Sequence, residues 1–173
     1  MSKMNRRKFI KAASAAGAFT IVPRYVLGGA GNTPPSEKLN IAGIGIGGMG
    51  ASNLQNLKGE NIVALCDVDY DYASKTFDEF PKAERYRDYR AMLDKQKDID
   101  AVVIATPDHT HAAIAMAAIN AAKHVYCQKP LTRDICESRR LAEAAKKTGV
   151  TTVMGIQGHS MEGIRLICEW IWA

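Results

Sequence analysis

The sequence has no clustered metal ligands. Its four cysteines, at positions 66, 127, 136 and 168, include no C-x-x-C pair, and its four histidines, at 109, 111, 124 and 159, show no H-E-x-x-H spacing. The usual zinc arrangements are thereby excluded. Cys66 and Cys127 each close an apolar run, so both are expected as small buried hydrophobes. No apolar run approaches the ~20 residues that a membrane-spanning helix needs. Acidic residues are missing from positions 1–30, which carry Lys3, Arg6, Arg7, Lys8, Lys11 and Arg24. Beyond them, 17 basic residues face 18 acidic ones, so the formal charge of +5 belongs to the start of the chain. The remainder therefore has no excess of positive charge for tracking phosphates, which excludes a nucleic-acid partner. What is present, 47% hydrophobic and 24% charged residues over 173 positions, describes a soluble globular chain with enough length for one domain.

The acid-free start has its own logic. Asn5-Arg6-Arg7-Lys8-Phe9-Ile10-Lys11 precedes the small, apolar stretch from Ala12 to Pro23. A positive segment before a short apolar one is the layout of an export signal, and the paired arginines resemble the twin-arginine type. Residues 1–30 are expected to be such a signal, read by the twin-arginine export machinery, with cleavage near Gly28-Gly29-Ala30 or retention as an uncleaved anchor. A periplasmic or exported location follows as an expectation. Export of an already folded chain suits a protein that must collect a nucleotide in the cytoplasm. Residues 31–38, with two prolines and no apolar period, read as a linker.

From Leu39 strands and helices alternate. Apolar strands are expected at 39–44, 61–66, 101–105, 124–127 and 151–154, and helices at 48–58, 70–80, 89–95, 109–122 and 134–148. Asp134 with Glu137 suggests a capping box, and Gly149 closes the last of these helices. Strands without polar alternation are buried on both faces, and strand–helix alternation implies right-handed parallel crossovers. The expected fold is α/β, a doubly wound parallel sheet of the Rossmann type over residues 39–160. Residues 162–172 form a further helical pattern with Ile164, Ile167, Cys168 and Ile171 on one side. Trp170 and Trp172 fall elsewhere and call for a partner surface, so the chain is expected to be a fragment of a longer protein.

Gly45-Ile46-Gly47-Gly48-Met49-Gly50 fits G-x-G-x-x-G, follows a strand and opens a helix. Gly45 allows a tight turn, Gly47 lets the backbone approach a pyrophosphate, and Gly50 allows close helix–strand packing. Free N–H groups of the first helical turn, including those of Gly48 and Met49, would face the phosphates. A second register, Gly43-x-Gly45-x-x-Gly48, also fits the glycines. Asp67 ends the second strand, where a carboxylate can accept both ribose hydroxyls of the adenosine. It would repel a 2′-phosphate, and Val68-Asp69 supplies no compensating arginine. NAD is therefore expected as the cofactor in preference to NADP.

Three more segments join this loop: Ala105-Thr106-Pro107-Asp108-His109-Thr110-His111, His124-Val125-Tyr126-Cys127-Gln128-Lys129-Pro130 and Gly155-Ile156-Gln157-Gly158-His159-Ser160. In this order, over roughly residues 39–173, the chain resembles the N-terminal half of the Gfo/Idh/MocA oxidoreductases. The resemblance implies that Lys129 stands beside the nicotinamide and the substrate, as proton acceptor or as hydrogen-bond donor to a substrate hydroxyl. Where the family has Glu-Lys-Pro, this chain has Gln128-Lys129-Pro130. Loss of a neighbouring carboxylate removes something that favours a charged lysine. Thr106 and Pro107 would lie at the cofactor rim, Asp108 would cap the next helix, and His111 would fall on its first turn, at the cofactor or in a structural hydrogen bond. Gln157 is implied near the nicotinamide; Ile156 stands where relatives often carry asparagine.

The activity so implied is oxidation of a sugar or polyol, with a proton leaving its hydroxyl and a hydride leaving its carbon. Two alternatives stay open: a glycosidase that uses transient oxidation by bound NAD, and a chain that binds the nucleotide without turnover. The family's α+β substrate half, through which copies often associate, is not among these residues.

Overall fold

The computed structural model describes residues 34–173. The expected signal, and the linker up to residue 33, lie outside the described residues. Residues 34–38 contain a 3₁₀ turn at Pro35–Glu37 and fall outside the unit that begins at Leu39.

From Leu39 onward the chain makes one parallel sheet. Its strands are Asn40–Ile44 (β1), Asn61–Cys66 (β2), Glu84–Tyr86 (β3), Ala101–Ile104 (β4), His124–Gln128 (β5) and Thr152–Gly155 (β6), in the spatial order β3-β2-β1-β4-β5-β6. The order reverses between β1 and β4, whose register aligns Ile41 with Ala101 and Ile44 with Ile104. Helices Gly48–Gln55 (α1), Ser74–Glu79 (α2), Tyr89–Lys95 (α3), His111–Asn120 (α4) and Ile135–Thr148 (α5) supply the crossovers. Two short elements follow β6, Gln157–Ser160 (α6) and Glu162–Trp172 (α7).

The strand period of two assigns each apolar residue to a face. Ala42, Ile44, Ala64, Cys66, Val102, Ile104 and Val125 point to one core with Met92 of α3, Ile114 and Ala118 of α4, and Leu141 of α5. Ile41, Leu65 and Val103 point to the other, with Ile46, Leu54 of α1 and Phe77 of α2. Each fully buried Leu, Ile or Phe contributes on the order of 1.5–3 kcal/mol of transfer free energy. Burial on both faces is the reason the central strands read as unbroken apolar runs. The edge strand β6 is different: Thr152 and Val153 are exposed and only Gly155 is buried.

Several expected boundaries move for identifiable reasons. The segment from Tyr70 begins as a turn, because Asp69 Oδ1 accepts from the N–H groups of Asp71 and Tyr72, and α2 starts only at Ser74. Strand β3 was not expected: Glu84-Arg85-Tyr86 has two charged residues and pairs only with β2 at the sheet edge. Asp108 does not cap α4. It lies inside a 3₁₀ turn, Asp108–Thr110, in which Thr110 N donates to the Pro107 carbonyl at 2.9 Å, and its side chain makes no cap bond. Helix α4 ends at Asn120, and Ala122 stands beyond it with φ 56°. The cap of α5 is as expected on one arm, with Asp134 Oδ1 accepting from Glu137 N at 2.9 Å. The other arm is shifted by one residue, since Glu137 Oε2 accepts from Arg133 N. Gly149 closes α5 in the left-handed conformation, φ 75°.

Candidate functional site

The turn from β1 into α1 occupies the point where strand order reverses. Gly43 lies within β1, and the turn begins at Gly45, whose φ of 74° is one that residues with a side chain rarely adopt. Its N–H donates to the Cys66 carbonyl at 2.9 Å, which ties the turn to β2. A Cβ at Gly50 would fall on the Gly45 carbonyl oxygen, so this glycine is fixed by the helix packing on the turn. At Gly47 the finding departs from expectation. A Cβ there would fall within the Tyr72 ring, which lies across the turn with its hydroxyl beside Gly48. Gly47 therefore makes room for an aromatic side chain as well as for any ligand.

Asp67 closes this turn. Its Oδ2 accepts from Ile46 N at 2.8 Å and from Gly47 N at 3.4 Å, while Oδ1 accepts from Asp69 N at 3.0 Å. The carboxylate thus fixes the loop in addition to facing the crevice. The N–H groups of Gly48 and Met49, in the first turn of α1, have no intrahelical acceptor.

A crevice of about 730 Å³ opens over the ends of β1, β2 and β4. Gly45, Gly47, Asp67, Thr106 and Pro107, all expected from the sequence, line it. So do Tyr72, Arg87, Tyr89 and Arg90, which sequence reasoning missed. Val68-Asp69 supplies no arginine, as expected, but Arg87 reaches the same crevice from elsewhere in the chain. It follows β3, stacks over Tyr70 at 4.1 Å, and donates from Nη1 to the Val68 carbonyl at 2.9 Å. The unrecognised strand β3 is what brings it there, and the register of Cys66 with Tyr86 was the missing signal.

The remaining expected residues form a second group at the ends of β5 and β6. Gln128 is buried, and its Oε1 accepts from Gln157 Nε2 at 3.1 Å, although the two are 29 residues apart. Gln128 Nε2 is buried with no acceptor among the described residues. Lys129 is exposed, and its bond to Pro130 is cis. His111 does not line the crevice. It is 1% exposed, and its ring joins the two groups: Nε2 is 2.8 Å from the Thr106 carbonyl oxygen and Nδ1 is 2.6 Å from that of Pro130. The Thr110 hydroxyl adds a bond to Thr106 Oγ1 at 2.7 Å.

Thiol chemistry plays no part in the crevice. Burial, with the carboxylates of Asp67 and Asp88 adding to it, pushes the Cys66 thiol up to about 12, and burial alone pushes Cys127 to about 12. Both are neutral, unreactive core residues at neutral pH. No group of three or more metal-ligating side chains occurs among the described residues.

The geometry has clear counterparts. Residues 39–156 match the model of the Gfo/Idh/MocA oxidoreductase family, NAD-binding Rossmann fold. An inositol 2-dehydrogenase of Salmonella paratyphi B is 35% identical over 111 residues, which are 61% of this chain and 33% of that protein. A glycosyl hydrolase family 109 protein of Shewanella pealeana is 28% identical over 88% of this chain and 39% of its own length. The crystal structure of myo-inositol 2-dehydrogenase from Lactobacillus plantarum superposes with a TM-score of 0.70 at 26% identity, over 78% of this chain and 41% of that one. The chain thus spans about a third of the length of the curated relatives it matches.

Proposed function

The chain belongs to the Gfo/Idh/MocA oxidoreductase family, whose NAD-binding Rossmann domain it carries, and from that premise we propose that it holds NAD for oxidation of a sugar or polyol. One observation carries the reading: the glycine turn, the Asp67 carboxylate that fixes it and the Thr106 rim line one crevice at the strand-order reversal. The residues present fit the cofactor. The first turn of α1 leaves the Gly48 and Met49 N–H groups for a pyrophosphate, Asp67 stands at the end of β2 for the ribose, and the buried Gln128 Nε2, without a partner among the described residues, awaits an acceptor such as a carboxamide oxygen.

When bound, NAD supplies a hydride acceptor. The chain's own contribution is placement and proton handling. Lys129, exposed at the end of β5, is the residue proposed to take or hold the substrate hydroxyl proton. The Gln128–Gln157 pair fixes the ends of β5 and α6 on the same side. Arg87 is already committed to Val68 and Tyr70, so Asp67 decides the preference for NAD over NADP. A titration followed by NADH fluorescence, with NADPH in parallel, tests the reading. Saturable NADH binding at least about tenfold tighter than NADPH supports it; equal affinities or no binding to either contradict it.

The 28% identity to a glycosyl hydrolase family 109 protein, over 88% of the chain, favours a second reading, a glycosidase using bound NAD. In a protein with its substrate half present, glycoside cleavage without net NADH separates this from stoichiometric oxidation of a free sugar. Export through the twin-arginine machinery, on the strength of Arg6-Arg7 and the apolar stretch after them, is likewise part of the proposal. Substituting Arg6 and Arg7 by lysine should leave the protein in the cytoplasm, and an unchanged distribution between fractions would refute it.

A further inference from the structure

We infer that Tyr72 is a cofactor-binding residue: its ring, seated on Gly47, walls the crevice and holds the phenol hydroxyl at the start of α1, where it donates to a phosphate oxygen. This rests on the reading of the crevice as a dinucleotide site; the seat of the ring on Gly47 does not.

The backbone brings Tyr72 to the turn. Asp69 Oδ1 accepts from the Tyr72 N–H at 3.0 Å, and the Asp69 N–H is itself held by Asp67 Oδ1. Four residues on, Thr76 Oγ1 donates to the Ile46 carbonyl at 2.8 Å and ties α2 to the same turn. Tyr72 thus stands on a segment anchored on both sides. Gly47 has φ −78° and ψ 170°, extended values that any residue adopts. Its missing side chain is therefore not a need of the backbone. A Cβ there would fall within the Tyr72 ring, so the glycine is the seat of the tyrosine.

Packing does not account for this placement. Tyr72 is 67% exposed and belongs to neither core. Nor does the ring fill the site: with Tyr72 as one of its walls the crevice keeps about 730 Å³, within the range of ligand pockets. The hydroxyl shows what the placement achieves. A Cβ at Gly48 would stand 2.9 Å from its oxygen, at the first residue of α1. The main-chain N–H of Tyr72 is bonded, but the hydroxyl has no hydrogen-bond partner among the described residues. It carries one hydrogen to donate, and the oxygens of an ionised phosphate only accept. The two arginines lining the crevice are engaged, Arg87 with the Val68 carbonyl and Arg90 with Asp88 at 3.5 Å. A phosphate at the start of α1 is then served by neutral donors, and the tyrosine adds one to those of the backbone.

The test is titration calorimetry of the whole chain, of Tyr72→Phe and of Tyr72→Ala, each with ADP and with NADH. The side chain is exposed and makes no described hydrogen bond, so both variants should fold. Tyr72→Phe keeps the ring and loses the hydroxyl. It should bind both nucleotides about tenfold more weakly, the usual worth of a hydrogen bond to a charged group, and Tyr72→Ala at least as weakly. Unchanged binding in Tyr72→Phe would overturn the inference. Tighter binding in Tyr72→Ala would also overturn it, since the ring would then be a cover that the ligand displaces. Phosphorus NMR of bound NADH should differ between the unsubstituted chain and Tyr72→Phe, and identical spectra would count the same way. A further measurement needs no nucleotide: the Gly47 α-proton signals should be moved by the Tyr72 ring and return to ordinary values in Tyr72→Ala. Gly47 signals indifferent to that substitution would remove the seat of the ring. If the unsubstituted chain binds neither nucleotide, the cofactor reading and this inference fall together. If it binds both and Tyr72→Phe binds them equally, only this inference falls.

Discussion

The two halves of the site are built from different materials. Around β1 and β2 the work falls to the backbone: the positive φ of Gly45, the close approach at Gly50, and N–H groups gathered by one carboxylate. Around β4 to β6 it falls to side chains, namely the His111 ring between two carbonyls and the Gln128–Gln157 amide pair. A backbone-built region tolerates few residue types and recognises a feature common to all dinucleotides. A side-chain-built region can be retuned by one substitution, since each of its links rests on a single ring or amide.

The contrast can be broken at several points. The largest effect is expected from Lys129→Met in a protein that includes its substrate half. Turnover should fall by about 10² to 10⁴-fold, the range for removing a general acid–base group, while NADH affinity changes little. Unchanged turnover would end the catalytic role. Gly50→Val should act on the other half through the fold itself. With its Cβ on the Gly45 carbonyl, it should cost about 3 kcal/mol or more in denaturant unfolding and abolish NADH binding. Asp67→Ala leaves the Ile46 and Gly47 N–H groups without their acceptor, and should weaken NADH binding by about tenfold and narrow the gap to NADPH. An unchanged ratio of the two affinities would count against Asp67 as the ribose partner.

Smaller effects sharpen the comparison. Because the Cys66 and Cys127 thiols are raised to about 12, they stay protonated well above neutral pH. An alkylating reagent at about pH 8 should label exposed Cys136 and spare both until the chain is unfolded. Labelling of Cys66 in the native state would mean that the crevice floor opens. Asp134→Ala should cost only about 1 kcal/mol, the usual worth of a helix cap, and leave NADH binding untouched.

The backbone-built half was the legible one. Glycine spacing, an unbroken apolar strand and an acid at the next strand's end are local patterns, and each reports a backbone requirement directly. The central strands were legible for the same reason, since burial on both faces leaves only apolar residues at Ile41–Ile44 and Val102–Ile104. Strand β3 was not, because Glu84-Arg85-Tyr86 sits at an edge where one neighbour suffices and charge is tolerated. With it went Arg87 and Arg90. Tyr72 escaped because nothing in a sequence says which way an exposed tyrosine folds over a turn. His111 was seen as a residue of the first helical turn, but its partners lie five residues before and nineteen after, and only the sheet brings them together.

The central claim is that the turn after β1, with Asp67 beneath it, holds a dinucleotide. Titration calorimetry of the folded chain with NAD and NADH tests it most directly. The account predicts saturable heat with one site per chain, lost in Gly50→Val and weakened in Asp67→Ala. No heat from either nucleotide at about millimolar concentration would contradict it.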